Sequence, residues 1–436
     1  MSLWSRVFGE RQVSGYYDAG TTTNPSVSLL TTLGGGPTVA GVQIDEWIAE
    51  GMPAVYSCVH AISETVGQLP LKLYKKTPSG REIADEHPLY LLLHDLPNPE
   101  LTAYQFREIL TRHLAMWGRA YAYVQREPMT NEVVGLWPVH PLRVKVDRNA
   151  LNVKRYTVAM PDGVPQEFLF DADRPPFLHL HMNSNDGLDG RSPIWINREA
   201  LATNKATQDF VAAYFGNGAV PGIIVTHPGK LSENAKNNFK RQWSEKFGGA
   251  ANRGKVAVLP EDVKINIIES DPQKSQLTEL SQEQISVVAR IWRVPNVIIQ
   301  NHTKDTSWGS GVEQLMIGWV NTGLMPYFEQ WTQAIARDCL SRKTYRTHYA
   351  KFVTAALTRG DLKSTMDAIA IGRQNTILSG NEGRELLEYN QIPEGDVMLI
   401  PSGSQPLMGD GVPIEPVAPS QPTERKPMAK GSETVN

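Results

Sequence analysis

Between Pro53 and Pro70 the apolar positions recur at steps of three and four residues: Val55, Cys58, Val59, Ile62, Val66 and Leu69. That spacing predicts one apolar stripe along a helix. Pro53 suits its first turn and Pro70 stops it. The period then changes to two. Leu71-Lys-Leu-Tyr-Lys-Lys76 alternates as a half-buried strand does, and Pro78, Ser79 and Gly80 supply a turn. A short apolar segment, His87 to Leu93, follows. Thr102 with Gln105 three residues on has the spacing of a capping box, opening a second amphipathic helix that reaches Trp117 and ends at Gly118.

Period-two patterning returns at Arg119 to Arg126, Val133 to Val139 and Leu142 to Asp147, with a turn at Met129-Thr-Asn131. Residues 44–193 therefore read as an α+β body whose strands form hairpins. Residues 194–217 read as a helix carrying Ala200, Leu201, Phe210, Val211 and Tyr214, broken by Asn217-Gly-Ala-Val-Pro-Gly222. A compact unit comes next: strand Ile223 to Thr226, helix Ser232 to Phe247, strand Lys255 to Leu259, and a third strand from Val263 to Ile268. Ser232 is an N-cap candidate and Gly248-Gly249 a stop.

An amphipathic helix is expected from Gln273 to Trp292, ended by Pro295, then a polar irregular stretch from Gln300 to Gly309. The stripe Val312, Leu315, Met316, Trp319, Val320, Leu324, Tyr327, Phe328, Trp331 and Ile335 marks a long helix over 311–340. Pro326, with Gly323 one turn before it, predicts a kink there. Residues 345–396 read as further helices punctuated by Gly360, Gly372 and Gly380. Residues 12–43, rich in Gly, Thr and Ser, read as a flexible arm. From Pro401 onward seven prolines fall in 36 residues, the composition of a disordered tail.

Charged residues are 20% and apolar residues 41% of the 436-residue chain, enough for real cores. A formal charge of −3 argues against a strongly basic surface that grips nucleic acid, though not against one that lets DNA slide past. Two cysteines, Cys58 and Cys339, cannot build a disulfide framework or a four-thiolate metal site. The N-terminus lacks the apolar core of a signal peptide, and no run reaches ~18 apolar residues, so neither export nor a membrane span is expected.

Two stretches tempt a chemical reading. Gly249-Ala-Ala-Asn-Arg-Gly-Lys255 has P-loop spacing, but Val256 stands where a magnesium-binding hydroxyl belongs. The element order is also inverted, since a P-loop follows a strand and opens a helix. His179 and His181 would share one face of a strand, a geometry metals use, but Ile194 replaces the glutamate a calcium loop needs after Asn183 to Asp189. Ordinary strand and turn residues are the better reading, and no metal, cofactor or catalytic group is assigned. No GxSxG or HExxH motif occurs.

The ordered phrases Ala54-Val-Tyr-Ser-Cys-Val-His60, Leu69-Pro-Leu-Lys-Leu-Tyr74, His87-Pro-Leu-Tyr90, Pro97-Asn-Pro99 and Leu101-Thr-Ala-Tyr-Gln-Phe-Arg107 resemble the portal proteins of lambda-like tailed bacteriophages. Asp186-Gly-Leu-Asp-Gly-Arg-Ser-Pro193, Asn217 to Gly222, Gly254 to Leu259 and Ala289-Arg-Ile-Trp-Arg-Val-Pro295 continue the match in order. The resemblance implies an α+β portal fold with wing, stem helices, small α/β clip and helical crown, assembling into a ring around a central channel. It divides the chain into an arm (1–43), wing (44–193), stem helix (194–218), clip (219–272), second stem helix (273–295), tunnel loop (296–310), kinked wing helix (311–349), crown (350–400) and tail (401–436).

It further implies a dodecameric ring at one capsid vertex of the virion, assembled in the host cytoplasm. Double-stranded DNA would pass through it during packaging and ejection, without sequence specificity. The large terminase subunit, the major capsid protein or scaffold, and head-completion or tail connector proteins would be partners. His302, Lys304 and Trp308 are the channel candidates, because a ring turns one Lys304 into a band of positive charge facing a polyanion. Lys230, Glu233, Lys236, Lys240 and Glu245 are the candidate terminase contacts on the clip. The alternatives are a nucleotide-driven packaging motor, disfavoured by Val256, and a minor capsid or connector protein without a DNA channel.

Overall fold

The computed structural model describes residues 38–78, 80–216, 223–226, 233–234, 237–238, 241, 264–267, 274–299, 310–354, 357, 362–387 and 389–398. The chain divides into two compact units at residue 358.

In the first unit, α1 (Glu46–Glu50) is capped by the Asp45 carboxylate, which accepts the Ile48 N–H at 2.7 Å. Helix α2 (Pro53–Gln68) buries its whole predicted stripe, with Val55, Cys58, Ile62 and Val66 sealed from solvent. Strands β1 (Leu71–Thr77) and β2 (Gly80–Ile83) pair antiparallel as a hairpin. The apolar segment at His87 is helix α3 (Pro88–His94), begun by Pro88 and by the His87 ring, which accepts the Leu89 N–H. Helix α4 (Ala103–Trp117) opens on the predicted capping box, made in both directions by Thr102 and Gln105. It closes at Gly118, whose φ of 70° is the left-handed cap that favours glycine.

Strands β3 (Arg119–Arg126) and β4 (Val133–Val139) form the predicted hairpin. The next strand starts later than its alternation implied. Pro141–Arg143 make one 3-10 turn before β5 (Val144–Arg148). Strands β6 (Lys154–Val158), β7 (Gln166–Leu169) and β8 (Phe177–His181) follow. The helix expected from 194 is divided, because Asn197 leaves helical geometry between α5 (Pro193–Ile196) and α6 (Arg198–Gly216). Strands β9 (Ile223–Thr226) and β10 (Lys264–Ile267) pair antiparallel, with Ile223 opposite Ile267.

Helix α7 (Lys274–Trp292) ends at Arg293, which turns to a φ of 56° two residues before Pro295. The long helix is α8 (Ser310–Trp319) and α9 (Met325–Asp338), joined by a π-helical turn over Val320–Leu324. That irregularity falls where the kink was predicted, and its cause is local. Pro326 cannot donate to the Thr322 carbonyl, and the Arg293 guanidinium donates there instead at 3.3 Å. At Gly323 any Cβ would sit 2.5 Å from the Trp319 ring.

Helices were expected beyond 345, yet β11 (His348–Phe352) is a strand. It pairs antiparallel with β1, setting Leu71 opposite Phe352 and Leu73 opposite Ala350. Only that distant partner makes it a strand, which local periodicity does not register. The sheets run β11-β1-β2, β4-β3-β8 and β5-β6-β7.

One large core gathers α2, α4, β1 and the inner face of α9. At its centre the fully buried Trp331 meets the Phe106 ring edge-on and donates its indole N–H to Thr111 Oγ1 at 3.1 Å. A second core of Tyr121, Val139, Val144, Tyr156, Val158, Met160 and Phe177 lies between the other two three-stranded sheets.

In the second unit, α10 (Leu362–Gln374) runs through Gly372 without a break, and that glycine is buried against Leu378. Helix α11 (Gly380–Leu386) begins at a reciprocal Ser379–Glu382 capping box. The buried Asn381 amide holds the following turn, donating to the Ile392 carbonyl and accepting the Ile392 N–H.

Candidate channel and assembly elements

Helices α6 and α7, the two stem candidates, lie against each other, and α7 also packs on α2. Their anchored ends are apolar: Leu201 and Ala202 on α6, Val288, Ala289 and Trp292 on α7, all buried. The Trp292 indole donates to the Ala115 carbonyl at 2.9 Å, pinning the end of α7 to α4. Away from that end, Phe210 on α6 is exposed.

The base of these helices is fixed by a backbone crossing. A Cβ on Gly190 would sit 1.8 Å from the Gly118 carbonyl oxygen, and one on Gly118 would sit 2.1 Å from the Arg191 carbonyl oxygen. Two glycines thus let the end of α4 touch the turn before α5. The Met182 N–H donates to Gly118 at 2.7 Å across the same contact.

Beside this crossing lies a buried polar network. His179 on β8 has both ring nitrogens engaged: Nδ1 with Lys154 Nζ at 2.8 Å and Nε2 with Asp189 Oδ1 at 3.1 Å. An ammonium only donates, so Nδ1 accepts and Nε2–H donates to the carboxylate. Burial holds the His179 imidazole down to about 3, and burial lowers Lys154 to about 8. Burial alone would raise the Asp189 carboxyl. The His179 hydrogen bond, the Arg119 guanidinium at 3.0 Å and the Tyr121 hydroxyl at 2.6 Å together hold it well below the usual carboxylate range.

The same network covers a sheet edge. Strand β8 is the outer strand of its sheet, and the Asp338 carboxylate at the end of α9 accepts the His179 N–H at 3.0 Å. Arg337 donates to the His179 carbonyl at 2.7 Å and to both Asp338 oxygens. An edge strand is thereby closed by one helix turn. His181 packs 4.8 Å from His179, ring to ring. The two imidazoles do adjoin, but His179 is consumed by this structural network. Among the described residues, no group of three or more His, Cys, Asp or Glu side chains could hold a metal ion.

A further buried charge, on another helix, went unread in the sequence. Arg107 on α4 donates from Nε and Nη2 to the Gly67 carbonyl, at 3.2 and 2.8 Å, and from Nη1 to the Leu93 carbonyl at 2.9 Å. These carbonyls belong to the last turns of α2 and α3, so one guanidinium closes two helix ends. The available signal was a charged residue inside the α4 apolar stripe, next to Phe106 and three residues before Leu110.

Of the predicted site residues, His302, Lys304, Trp308, Lys230, Lys236, Lys240 and Glu245 lie outside the described residues, as do the glycine-lysine loop 249–255 and the strand expected over 255–259. Glu233 lies on a helical residue and is exposed. Among the described residues, no helix is long and apolar enough to cross a membrane.

A model of the phage portal protein family matches residues 53–388. The chain belongs to that family. Among portal relatives, a "Probable portal protein" of Streptomyces phage phiC31 is 29% identical over 409 residues, covering 91% of this chain and 87% of the relative. The portal protein of Enterobacteria phage HK97 is 28% identical over 376 residues, covering 85% and 86%. The fold is shared with an HK97-family phage portal protein from Corynebacterium diphtheriae, at a TM-score of 0.53 and 16% identity, covering 71% of this chain and 95% of that one. It is also shared with a chain in the neck of a native gene transfer agent particle computed with C12 symmetry, at 0.54 and 18%, covering 79% and 92%. The α+β portal fold read from the ordered phrases is therefore the fold of this chain.

Proposed function

We propose that this portal protein forms a dodecameric ring at one vertex of a phage capsid, through which double-stranded DNA is packaged and later ejected. The observation that carries the reading is the family match over 53–388 on a fold whose paired helices α6 and α7 stand on a rigid, glycine-crossed base. Exposed Phe210 on α6, Leu315 and Ile317 on α8, and Met325 opening α9 suit faces that bury against neighbouring copies. Rotational, head-to-tail contacts close into rings. At −3 per chain, twelve copies carry a formal charge of about −36, which opposes adhesion of DNA and suits a conduit.

In this reading the chain is a component of the virion, assembled in the host cytoplasm, and does no covalent chemistry. Terminase docks on the clip through candidates such as Lys230 and Glu233, tail connectors follow after packaging, and capsid or scaffold protein surrounds the wing. Negative-stain electron microscopy with native mass spectrometry tests it. Rings of about twelve subunits with a duplex-wide hole are expected. A protein that stays monomeric in the presence of its capsid and scaffold partners refutes it.

A further inference from the structure

The outer face of the sheet β11-β1-β2 carries charge of one sign. Strand register places its side chains. Leu71 and Leu73 of β1, with Phe352 and Ala350 opposite them, face the core. Lys72, Tyr74 and Lys76 therefore point the other way, with Lys351 opposite Lys72, Tyr349 opposite Tyr74 and Arg81 of β2 opposite Lys76. Glu82, the one carboxylate within the three strands, shares the side of Leu71 and Leu73, where it lies opposite Lys75. Asp85 and Glu86 follow β2, beyond Ile83. Among the described residues, none of Lys72, Lys76, Arg81 and Lys351 forms an ion pair.

Two tyrosines occupy the middle of this face. Tyr74 and Tyr349 stack across the strands with 5.7 Å between ring centroids. The Arg81 guanidinium lies 4.9 Å from the Tyr74 ring and Lys76 Nζ 5.8 Å from the Tyr349 ring. Cation–π contact thus holds two of the charges in place before any ligand arrives. Lys72 stands four residues from Lys76, about 13 Å along β1, so cations flank the tyrosines at both ends. Both charged cross-strand pairs, Lys72 with Lys351 and Lys76 with Arg81, are like-charged. Such pairs weaken a sheet, and an anion laid across them relieves the repulsion.

We propose that this face binds single-stranded nucleic acid, with phosphates on Lys72, Lys351, Lys76 and Arg81 and unpaired bases against Tyr74 and Tyr349. The contact is independent of the ring reading. Cations flanking paired aromatics on a sheet suit a single strand, since they take its phosphates and leave a π surface for its bases. A duplex keeps its base faces within its own stack and has no use for the tyrosines. An acidic polypeptide fits less well: Ile83, 40% exposed, is the one aliphatic side chain on this face, and a peptide needs apolar pockets for its anchors. The net charge of −3 repels nucleic acid at long range, but at contact the four cations dominate, because charges beyond about 8 Å are screened.

The test uses the full chain and fluorescence anisotropy with a labelled oligothymidylate of about 20 nucleotides, beside a duplex of the same length. Lys72→Glu with Lys351→Glu should weaken oligothymidylate binding about tenfold or more. Tyr74→Ala with Tyr349→Ala should weaken it by about the same factor and leave its salt dependence as in wild type. Lys72→Ala with Lys351→Ala should instead lower the slope of log K against log salt by about 1.4. This alanine pair removes a like-charge repulsion, so it keeps the fold and decides the matter even where the tyrosine variant unfolds. No binding by wild type, or unchanged affinity in the lysine variants, overturns the proposal. Equal binding of the duplex, with no effect of the tyrosine pair, would make the face a backbone contact and overturn it too. So would displacement of the oligonucleotide by polyglutamate at equal charge concentration, which assigns the face to an acidic polypeptide. Rings counted by negative-stain microscopy report separately on the ring reading, which none of these outcomes touches.

Discussion

Arg107→Ala measures what one buried guanidinium does for three helices. The side chain is 5% exposed, and no carboxylate is among its hydrogen-bond partners. Burial pulls it down to about 10, so holding it charged costs roughly 3 kcal/mol relative to water. Against that stand two helix-end carbonyls, Gly67 and Leu93, that lose their donors when it is removed. Each unsatisfied buried carbonyl costs about 2 kcal/mol. The two methylenes lost beyond Cβ add about 1.6 kcal/mol of lost burial. The losses outweigh the relief, leaving Arg107→Ala about 2 to 3 kcal/mol less stable.

For a body this large that is a fall in Tm of roughly 3 to 4 °C. Arg107→Met keeps the apolar burial and should lose only about 1 kcal/mol. Thermal unfolding by differential scanning fluorimetry, at one protein concentration for all three proteins, reads the series. An alanine variant within 2 °C of wild type would refute the view that this side chain closes α2 and α3.

Acid should destabilise the fold through its buried histidines. His179 is held down to about 3 and His140 to about 4, both chiefly by burial, and burial together with His140 and Arg112 holds His113 well below its ordinary value. The unfolded chain protonates them near 6.5, so stability is complete above that pH and is lost as pH falls toward 4, by up to about 4 kcal/mol per unit for three protons. Denaturant midpoints equal at pH 7.5 and 5 would contradict this. Gly190→Ala drives a Cβ into the Gly118 carbonyl and should abolish soluble expression or cost more than about 4 kcal/mol; near-native stability would show that the crossing yields. Burial pushes the Cys58 and Cys339 thiols up to about 12, so neither should react with Ellman's reagent until the protein is denatured. Replacing His302 and Lys304 by alanine should leave rings intact and reduce DNA packaging in vitro, whereas unchanged packaging would remove them from the channel.

Local pattern determined much of this protein. The stripe of α2, the Thr102–Gln105 box, the Gly118 cap, the β3–β4 hairpin and the break ahead of Pro326 all follow from spacing and side-chain chemistry within a few residues, and all are present. The ordered phrases carried the family and its fold, because their succession constrains far more than any one of them. Tertiary structure decided the rest. β11 is a strand only because β1 lies beside it, across more than two hundred residues. Asn197 divides a stretch whose apolar pattern runs on unbroken. His179 and His181 read as a ligand pair until Lys154 from β6, Asp338 from α9 and Asp189 from the turn after β8 occupy the first of them. Arg107 interrupts an apolar stripe, but what it serves appears only when two helix ends converge on it. Periodicity reports which face is apolar, but which distant carbonyl or carboxylate meets a buried charge is set by chain crossings that no short window contains.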